Sequence, residues 1–518
     1  MNRSYTSQLS VGVEKKYREL ENRIMEDVIR RIQKTGTITS TADWQLNRYR
    51  ILGNSTADIE KIIRETVGGD YPDTFELYDE VIEREYTRSR EIYEQVNQVF
   101  TPYEENPELQ QITQALINQS NEELRNITKS LGFKVDMGGG RLVFAPLSEY
   151  YNQYLDNAIV EIVSGAFDYN SVIRRVVSQM TNSGLRTVEY ASGRTSRCDV
   201  AARRAIMTGL SQLTSQVSKM NAQRLGTDYF EVDWHSGARP SHQVWQGKVY
   251  SSEELITKCG LGTGDGILGW NCYHSYYPFI RGISKRSYTD EWLEGQNQAE
   301  NTPRSWQSKQ YTRYEATQKQ RQMETSMRAQ RQKVRLLQQA GANTDEITTE
   351  RCKYQYKLDE YKTFSKKMGL QTQMERVYYD LEGRVAPSKD TYRKWLADIE
   401  RKKKDDIIKS EIKKAGIRGT VKIMPSPMDV SGYDFDENHI NAERKHLVSR
   451  KEAEKYIKEA DVSVTRWNGR FINYYSPAGA VFLDTENHLI RTAFKEEEFD
   501  DHVRALGEVL RKYGIRKD

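Results

Sequence analysis

The seven histidines of this sequence fall into two groups. His235, His242 and His274 lie in one loop-rich region and His439, His446, His488 and His502 near the C-terminus, while residues 1–234 and 275–438 contain none. Imidazole titrates near neutral pH and is a common metal ligand, so each group is a candidate for chemistry. In the first, Cys272 joins the histidines. His235, His242, Cys272 and His274 together supply four imidazole or thiolate groups suited to zinc, although their spacing is not that of a familiar zinc finger. The alternative is a loop knot tied by glycine turns, buried aromatic residues and hydrogen-bonded histidines. No carboxylate stands in a recognisable relation to these ligands, which argues against metal-assisted hydrolysis.

In the second group, the run from Asn438 to His446 places His439, His446, Arg444 and Lys445 at the entry to an expected helix, with Arg466 and Arg470 on a hairpin and Arg491-Thr492 on the last strand. Imidazoles and cations spread over several elements suit acid–base work on an anionic substrate. Their alternative roles are ordinary: capping a helix, packing beneath a sheet, or solvation. His488, in a turn, and His502, on the final helix, read as surface residues.

The elements that position these groups follow from pattern. Apolar residues at spacings of three and four, such as Leu20, Ile24, Val28 and Ile32, predict amphipathic helices from about Glu14 to Val135 and again from Ser148 to Leu225. Gly36 is a stop signal and Ser40-Thr41-Ala42-Asp43 an N-cap for the next helix. Gly138-Gly139-Gly140, between Phe133–Val135 and Arg141–Phe144, reads as a hairpin turn, since no Gly-Lys-Ser/Thr follows it. Residues 228–285 are rich in Gly, His, Cys and aromatics and read as loops with short strands. Arg304 to Arg335 carries nine Lys or Arg against Glu315 and Glu324, predicting a solvated or partner-bound helix. Trp306, Tyr311 and Tyr314, interleaved with that charge, favour a partner surface, with packaged DNA or RNA as one option. A helix from about Thr348 to Met368 pairs with it as a hairpin or arm. Toward the C-terminus the pattern becomes α+β: a helix from Glu443 to Ala460, strands 462–467 and 470–476 around Asn468-Gly469, strands 480–484 and 489–494, and a helix from Glu496 to Tyr513.

The expected organisation is therefore multidomain: a mainly helical region 1–227, a Gly/His/Cys-rich unit 228–300, a long basic helical arm 301–385, a linker 386–418, and a small α+β domain 419–518 with a four-stranded antiparallel sheet. A length of 518 residues fits two to four domains, and 37% hydrophobic with 29% charged residues suits long exposed helices. The net charge of +4 is too small to make the whole chain a polyanion binder. Four cysteines without disulfide-framework spacing fit a reducing compartment. No signal peptide and no stretch of the roughly 18–20 apolar residues that span a bilayer is seen, so no membrane association is expected.

One resemblance is specific. The string His235-Ser236-Gly237-Ala238-Arg239-Pro240-Ser241-His242, then Trp245-Gln246-Gly247-Lys248-Val249-Tyr250, Asn271-Cys272-Tyr273-His274 and Pro278-Phe279, resembles the phage minor capsid protein family, related to the phage head morphogenesis proteins. The similarity extends to Ile38–Leu46 and Ala202-Arg203-Arg204 and covers residues 1 to about 300. It implies a structural role at the capsid or near the portal of a tailed phage or prophage, in few copies per particle, with portal and major capsid proteins as partners. The location implied is the virion head, and the host bacterial cytoplasm during assembly.

Residues of about 420–515 resemble, in element order, the barnase, EndoU, colicin and RelE-like nuclease superfamily. That resemblance implies metal-independent RNA cleavage in which His439 and His446 act as base and acid, Arg466 and Arg491 hold phosphate, and Thr492 adds a hydrogen bond. The expected function is a structural head protein with a C-terminal RNase-like domain that needs no cofactor, zinc being an option only at the loop unit. The alternative is a non-catalytic module that binds a capsid partner or DNA. A fused ADP-ribosyltransferase is disfavoured, because the last domain is small and lacks a Glu-x-Glu after a strand.

Overall fold

The computed structural model describes residues 9–37, 52, 55–68, 72–189, 192–378 and 383–516. The expected N-cap at 40–43 and the Ile38–Leu46 string lie outside them. The chain divides into two compact units, Met1–Pro387 and Ser388–Asp518.

The first unit is mostly helical. Helix α1 (Val11–Gln33) buries the predicted stripe, with Tyr17, Leu20, Ile24, Val28 and Ile32 all inaccessible to solvent. Helices α2 (Ser55–Val67), α3 (Pro72–Thr87), α4 (Arg90–Gln95) and α5 (Pro107–Lys129) follow. At the start of α5 the Asn106 side chain accepts from the Leu109 N–H at 3.3 Å, next to a proline whose missing donor costs nothing there. The glycine hairpin forms as expected: β1 (Leu131–Asp136) pairs with β2 (Leu142–Pro146), and Gly138, Gly139 and Gly140 all have positive φ. Helices α6 (Asp156–Val163) and α7 (Tyr169–Ser183) lead to β3 (Arg186–Glu189) and β4 (Arg194–Arg197), then to the long α8 (Cys198–Arg224).

Strands β3 and β4 interrupt a span that periodicity reads as helix. Both are short and polar, and they form because the free edge of β1 accepts β3, giving the order β2-β1-β3-β4. Where α8 crosses the other helices, a Cβ on Gly209 would stand 1.8 Å from the Tyr78 hydroxyl, which itself bonds Ser120 at 2.6 Å. Only glycine fits that crossing.

The loop unit contains β5 (Tyr229–Val232), the short helix α9 (Pro240–Gln243), β6 (Val249–Ser251), α10 (Ser252–Thr257) and β7 (Tyr276–Pro278), with sheet order β6-β5-β7. After α11 (Asp290–Asn301) come a small hairpin, β8 (Arg304–Trp306) with β9 (Lys309–Tyr311), and the helical pair α12 (Arg313–Gln339) and α13 (Thr344–Met368).

This pair corrects the expectation of a solvated arm. Ala316, Met323 and Met327 pack with Tyr354, Leu358, Tyr361 and Phe364, while Leu336, Leu337 and Ala340 join the core built around α1 and α8. The contact was hidden because the inward face of α12 is partly polar. Gln320 donates to Ser365 Oγ at 3.0 Å and to the Gln371 carbonyl at 2.8 Å, and buried Arg331 donates to the Gly383 carbonyl at 3.1 Å.

In the second unit, α14 (Lys389–Lys414) precedes β10 (Thr420–Ile423), β11 (Asp434–Phe435), a π-helical turn at Asn438–Glu443, and α15 (Arg450–Lys458). Strands β12 (Val462–Arg466), β13 (Phe471–Tyr475), β14 (Gly479–Asp484) and β15 (Leu489–Lys495) and helix α16 (Asp501–Lys512) complete it. The sheet has six strands, ordered β10-β12-β13-β14-β15-β11, and is mixed because β11 runs parallel to β15. The expected four-stranded meander is its centre, and short β10 and β11 carry too little pattern to be read.

Most of the segment expected as a linker is helical. Ile408 and Ile412 of α14 pack against Val462, Val464, Leu506 and Leu510 on one face of the sheet, while Ala453, Tyr456 and Ile457 of α15 cover the other. The expected helix from Glu443 begins only at Arg450, where Ser449 and Glu452 form a capping box; Lys445 and Leu447 before it have positive φ and break any helix.

Candidate metal centre

Two elements of the loop unit bring in the ligands. His242 sits on α9, whose first turn is set by Pro240. Cys272 and His274 precede β7 and are delivered by a folded glycine loop, in which the Ile267 N–H donates to the Cys259 carbonyl at 2.8 Å and the Trp270 N–H to the Gly264 carbonyl at 2.7 Å. A Cβ on Gly266 would lie 2.0 Å from the Gly260 carbonyl oxygen, so the loop closes only with glycine there. Beneath it, Phe230, Val232, Trp245, Tyr250, Leu255 and Tyr276 form the core.

His242, Cys272 and His274 converge and are all buried. His242 Nδ1 is 3.4 Å from His274 Nδ1, and Cys272 Sγ is 3.8 Å from the first and 3.4 Å from the second. A tetrahedral zinc with bonds of ~2.0–2.1 Å to nitrogen and ~2.3 Å to sulfur has N···N edges of roughly 3.3 Å and N···S edges of roughly 3.6 Å. The three atoms thus stand at the corners of one such face.

The hydrogen bonds around the group fix which ring nitrogens carry protons. His242 Nε2 is 2.8 Å from the Asp265 carbonyl, which can only accept, so this nitrogen is an N–H donor. His274 Nε2 is 2.9 Å from Gln246 Oε1, and that oxygen also accepts the His235 backbone N–H at 3.2 Å. It is therefore an acceptor too, and His274 Nε2 donates. In the neutral rings both Nδ1 atoms carry a lone pair, facing each other and a sulfur. Donors on the far nitrogens that aim the near ones inward are the outer-shell arrangement of metal-bound histidine.

Burial, with Arg239 nearby, outweighs the Asp265 carbonyl and holds His242 below the ordinary imidazole value; burial likewise pushes the Cys272 thiol up to about 11. A cation would offset the cost of a thiolate there. The Cys272 sulfur lies 3.4 Å from the His274 backbone N–H, a donor suited to thiolate.

His235, expected as a fourth ligand, stands outside the group of three. Its ring stacks on His274 at 4.1 Å between centroids and its Nδ1 lies 3.2 Å from the Ser236 carbonyl. It contributes through its backbone, which orients Gln246. Gln246 was not singled out from the sequence; its place in Trp245-Gln246-Gly247, inside the resembling string, is the signal that could have found it. The three ligands line a cavity of about 1290 Å³, whose wall also carries Arg203, Arg204, Arg239 and Arg328.

The five candidate residues of the C-terminal unit are distributed differently. His439 Nδ1 lies 3.1 Å from Glu443 Oε2 and His446 Nδ1 2.7 Å from Glu498 Oε2. Arg466 donates to the Arg418 carbonyl at 2.8 Å. Arg491, skipped by the β14–β15 register, lies 5.3 Å from the Phe471 ring centroid, and Thr492 pairs with Phe482. Among the described residues no hydrogen bond or ion pair joins these five to one another. Pairing of Arg466 with Phe471, Phe471 with Asp484 and Asp484 with Leu489 puts Arg466 and the start of β15 at one end of the sheet. His446 packs on Phe494, five residues along β15 and so roughly 16 Å away at ~3.3 Å per residue.

A family model described as Phage minor capsid protein 2 matches residues 1–364. Among curated proteins and solved structures, nothing matches the chain.

Proposed function

Because the chain belongs to the phage minor capsid protein 2 family, which makes it a structural capsid protein of the virion, we propose that it serves in the head of a tailed phage or prophage with zinc tying its loop unit. Portal and major capsid proteins are its expected neighbours. The observation that carries the metal is the pair of imidazoles whose Nε2 atoms are both committed to acceptors, leaving two Nδ1 lone pairs 3.4 Å apart beside a buried cysteine. His242, Cys272 and His274 hold the ion and Gln246 and the Asp265 carbonyl orient the rings. The ion supplies a cross-link rather than a hydrolytic centre: the Asp265 carboxylate is exposed beside Arg239 at 3.7 Å, away from a general base's position.

Elemental analysis of full-length protein, dialysed against metal-free buffer, tests this. About one zinc per chain is expected, retained in His235→Ala and lost in Cys272→Ser. Zinc at background in the parent protein, or unchanged in a Cys272→Ser, His274→Ala double variant, would refute the reading.

For residues 388–518 we infer a binding module for a capsid partner or DNA in preference to an RNase. Support comes from the separation of His446 from Arg466 and from the separate carboxylate partner of each histidine. RNA incubated with the full chain in excess chelator is expected to stay intact. Cleavage that disappears in a His439→Ala, His446→Ala double variant would restore the RNase reading.

A further inference from the structure

The cavity beside the metal centre carries more positive charge than its carboxylates answer. Arg203 Nε is 3.4 Å from Glu14, Arg321 is 3.0 Å from Glu324, and Arg239 is 3.7 Å from Asp265. Arg204 and Arg328, which also line it, have no carboxylate within ion-pair distance among the described residues. Arg328 donates to the Arg376 carbonyl at 3.1 Å and to Thr325 Oγ1 at 3.0 Å. Arg204 donates to Ser196 Oγ at 3.4 Å, and its buried Nε has no acceptor.

We propose that this cavity binds a phosphate oxyanion, held by Arg204 and Arg328. A cation drawn from water whose carboxylates stand beyond ion-pair distance, Asp199 and Glu324 for Arg328 and Glu189 for Arg204, is costly, and it is kept where a ligand supplies the closer charge. The cost is visible at both residues. Burial and neighbouring Arg18 push Arg328 down to about 10, and burial with neighbouring Arg194 lowers Arg204. The planar guanidinium matches paired phosphate oxygens and stays charged at neutral pH. At about 1290 Å³ the space exceeds the ~300–1,000 Å³ of ordinary small-molecule pockets, so it admits either a free phosphate or a stretch of phosphodiester backbone. The site stands on these arginines and does not depend on the metal.

The test is calorimetric titration of chelator-treated full-length protein at low ionic strength, so that the zinc reading does not enter. The probes are pyrophosphate and a single-stranded oligodeoxynucleotide. Pyrophosphate is expected to bind, and Arg204→Gln and Arg328→Gln are each expected to weaken it about tenfold or more, the loss typical of a charge-assisted hydrogen bond. Arg393→Gln, an exposed charge on α14, should leave it unchanged. Pyrophosphate should also raise the Tm of the parent protein and not that of the double variant, while the ligand-free Tm of Arg328→Gln stays at or above the parent's. If the oligonucleotide displaces pyrophosphate the phosphate is that of nucleic acid, and if it does not the ligand is a free anion; either result supports the site. Absence of binding by both probes, or binding indifferent to both substitutions, overturns it.

Discussion

Adjacent isoleucines on α14 give a sharp test of where the C-terminal unit begins. Ile408 is 1% exposed and Ile407 53% exposed, about 100° apart around one helix. Ile408→Ala removes three carbon groups at ~0.8 kcal/mol each and leaves a cavity against Val462, Val464 and Leu506, for a total of about 2–5 kcal/mol. A domain of this size has ~5–15 kcal/mol of stability in all, so the loss is a large fraction of it. With a urea dependence of ~2 kcal/mol per molar, the unfolding midpoint should fall by roughly 1–2.5 M. Ile407→Ala, in water on both sides of the transition, should change stability by under ~0.5 kcal/mol. Urea titration of a fragment spanning residues 388–518, followed by circular dichroism, reads both. Equal midpoints for the two variants would mean that α14 is only a spacer and that the core starts at β10.

Three further outcomes are expected. Met327→Ala should destabilise the Met1–Pro387 unit by about 2–5 kcal/mol in thermal or denaturant unfolding, whereas a solvated α12 would show no change. Asp199→Asn removes the nearer of two carboxylates from buried Arg18, at 2.9 Å against 3.5 Å for Glu14, and should cost ~1.5–3 kcal/mol at pH 7. Burial alone would raise the Asp199 pKa, but Arg18, Arg328 and Arg197 win and hold it below the ordinary value. Its stabilisation is therefore full above the unfolded-state value and lost as pH falls through the depressed one, so the gap between parent and variant should close in strong acid. Gly266→Ala forces a Cβ into the Gly260 carbonyl and should lower both bound zinc and Tm, measured on the same preparation; full zinc occupancy would show that the loop can relax.

Strong periodicity was readable wherever burial alone decides structure: the stripe on α1, the glycine hairpin of β1–β2 and the turn at Asn468-Gly469, where Asn468 has positive φ. It failed where burial is polar or shared. The inward face of α12 is built from methionine, glutamine and arginine, so composition read it as wet. Helix α14 buries residues only near its end, at Ile408 and Ile412, and its charged run looked like a boundary. At the candidate metal centre, residue type pointed to four residues, of which the fold brings His242, Cys272 and His274 together; that His235 stands outside the group required three dimensions. In the C-terminal unit, residue type alone suggested convergence, and strand register with the His446–Phe494 ring contact sets His446 apart from Arg466.

Helix α12 belongs to two cores at once: Met323 and Met327 lie in one and Leu336 and Leu337 in the other, on a rod of 27 residues, about 40 Å at 1.5 Å per residue. Mechanically it is a strut. A load applied to the hairpin end cannot be absorbed by local fraying, because shearing Met327 from its neighbours also drags Leu337 through the packing of α1 and α8. The two cores should therefore yield together, in one rupture event at high force rather than in a staircase of small ones. Stiffness of that kind needs no covalent link between the parts that share the strain.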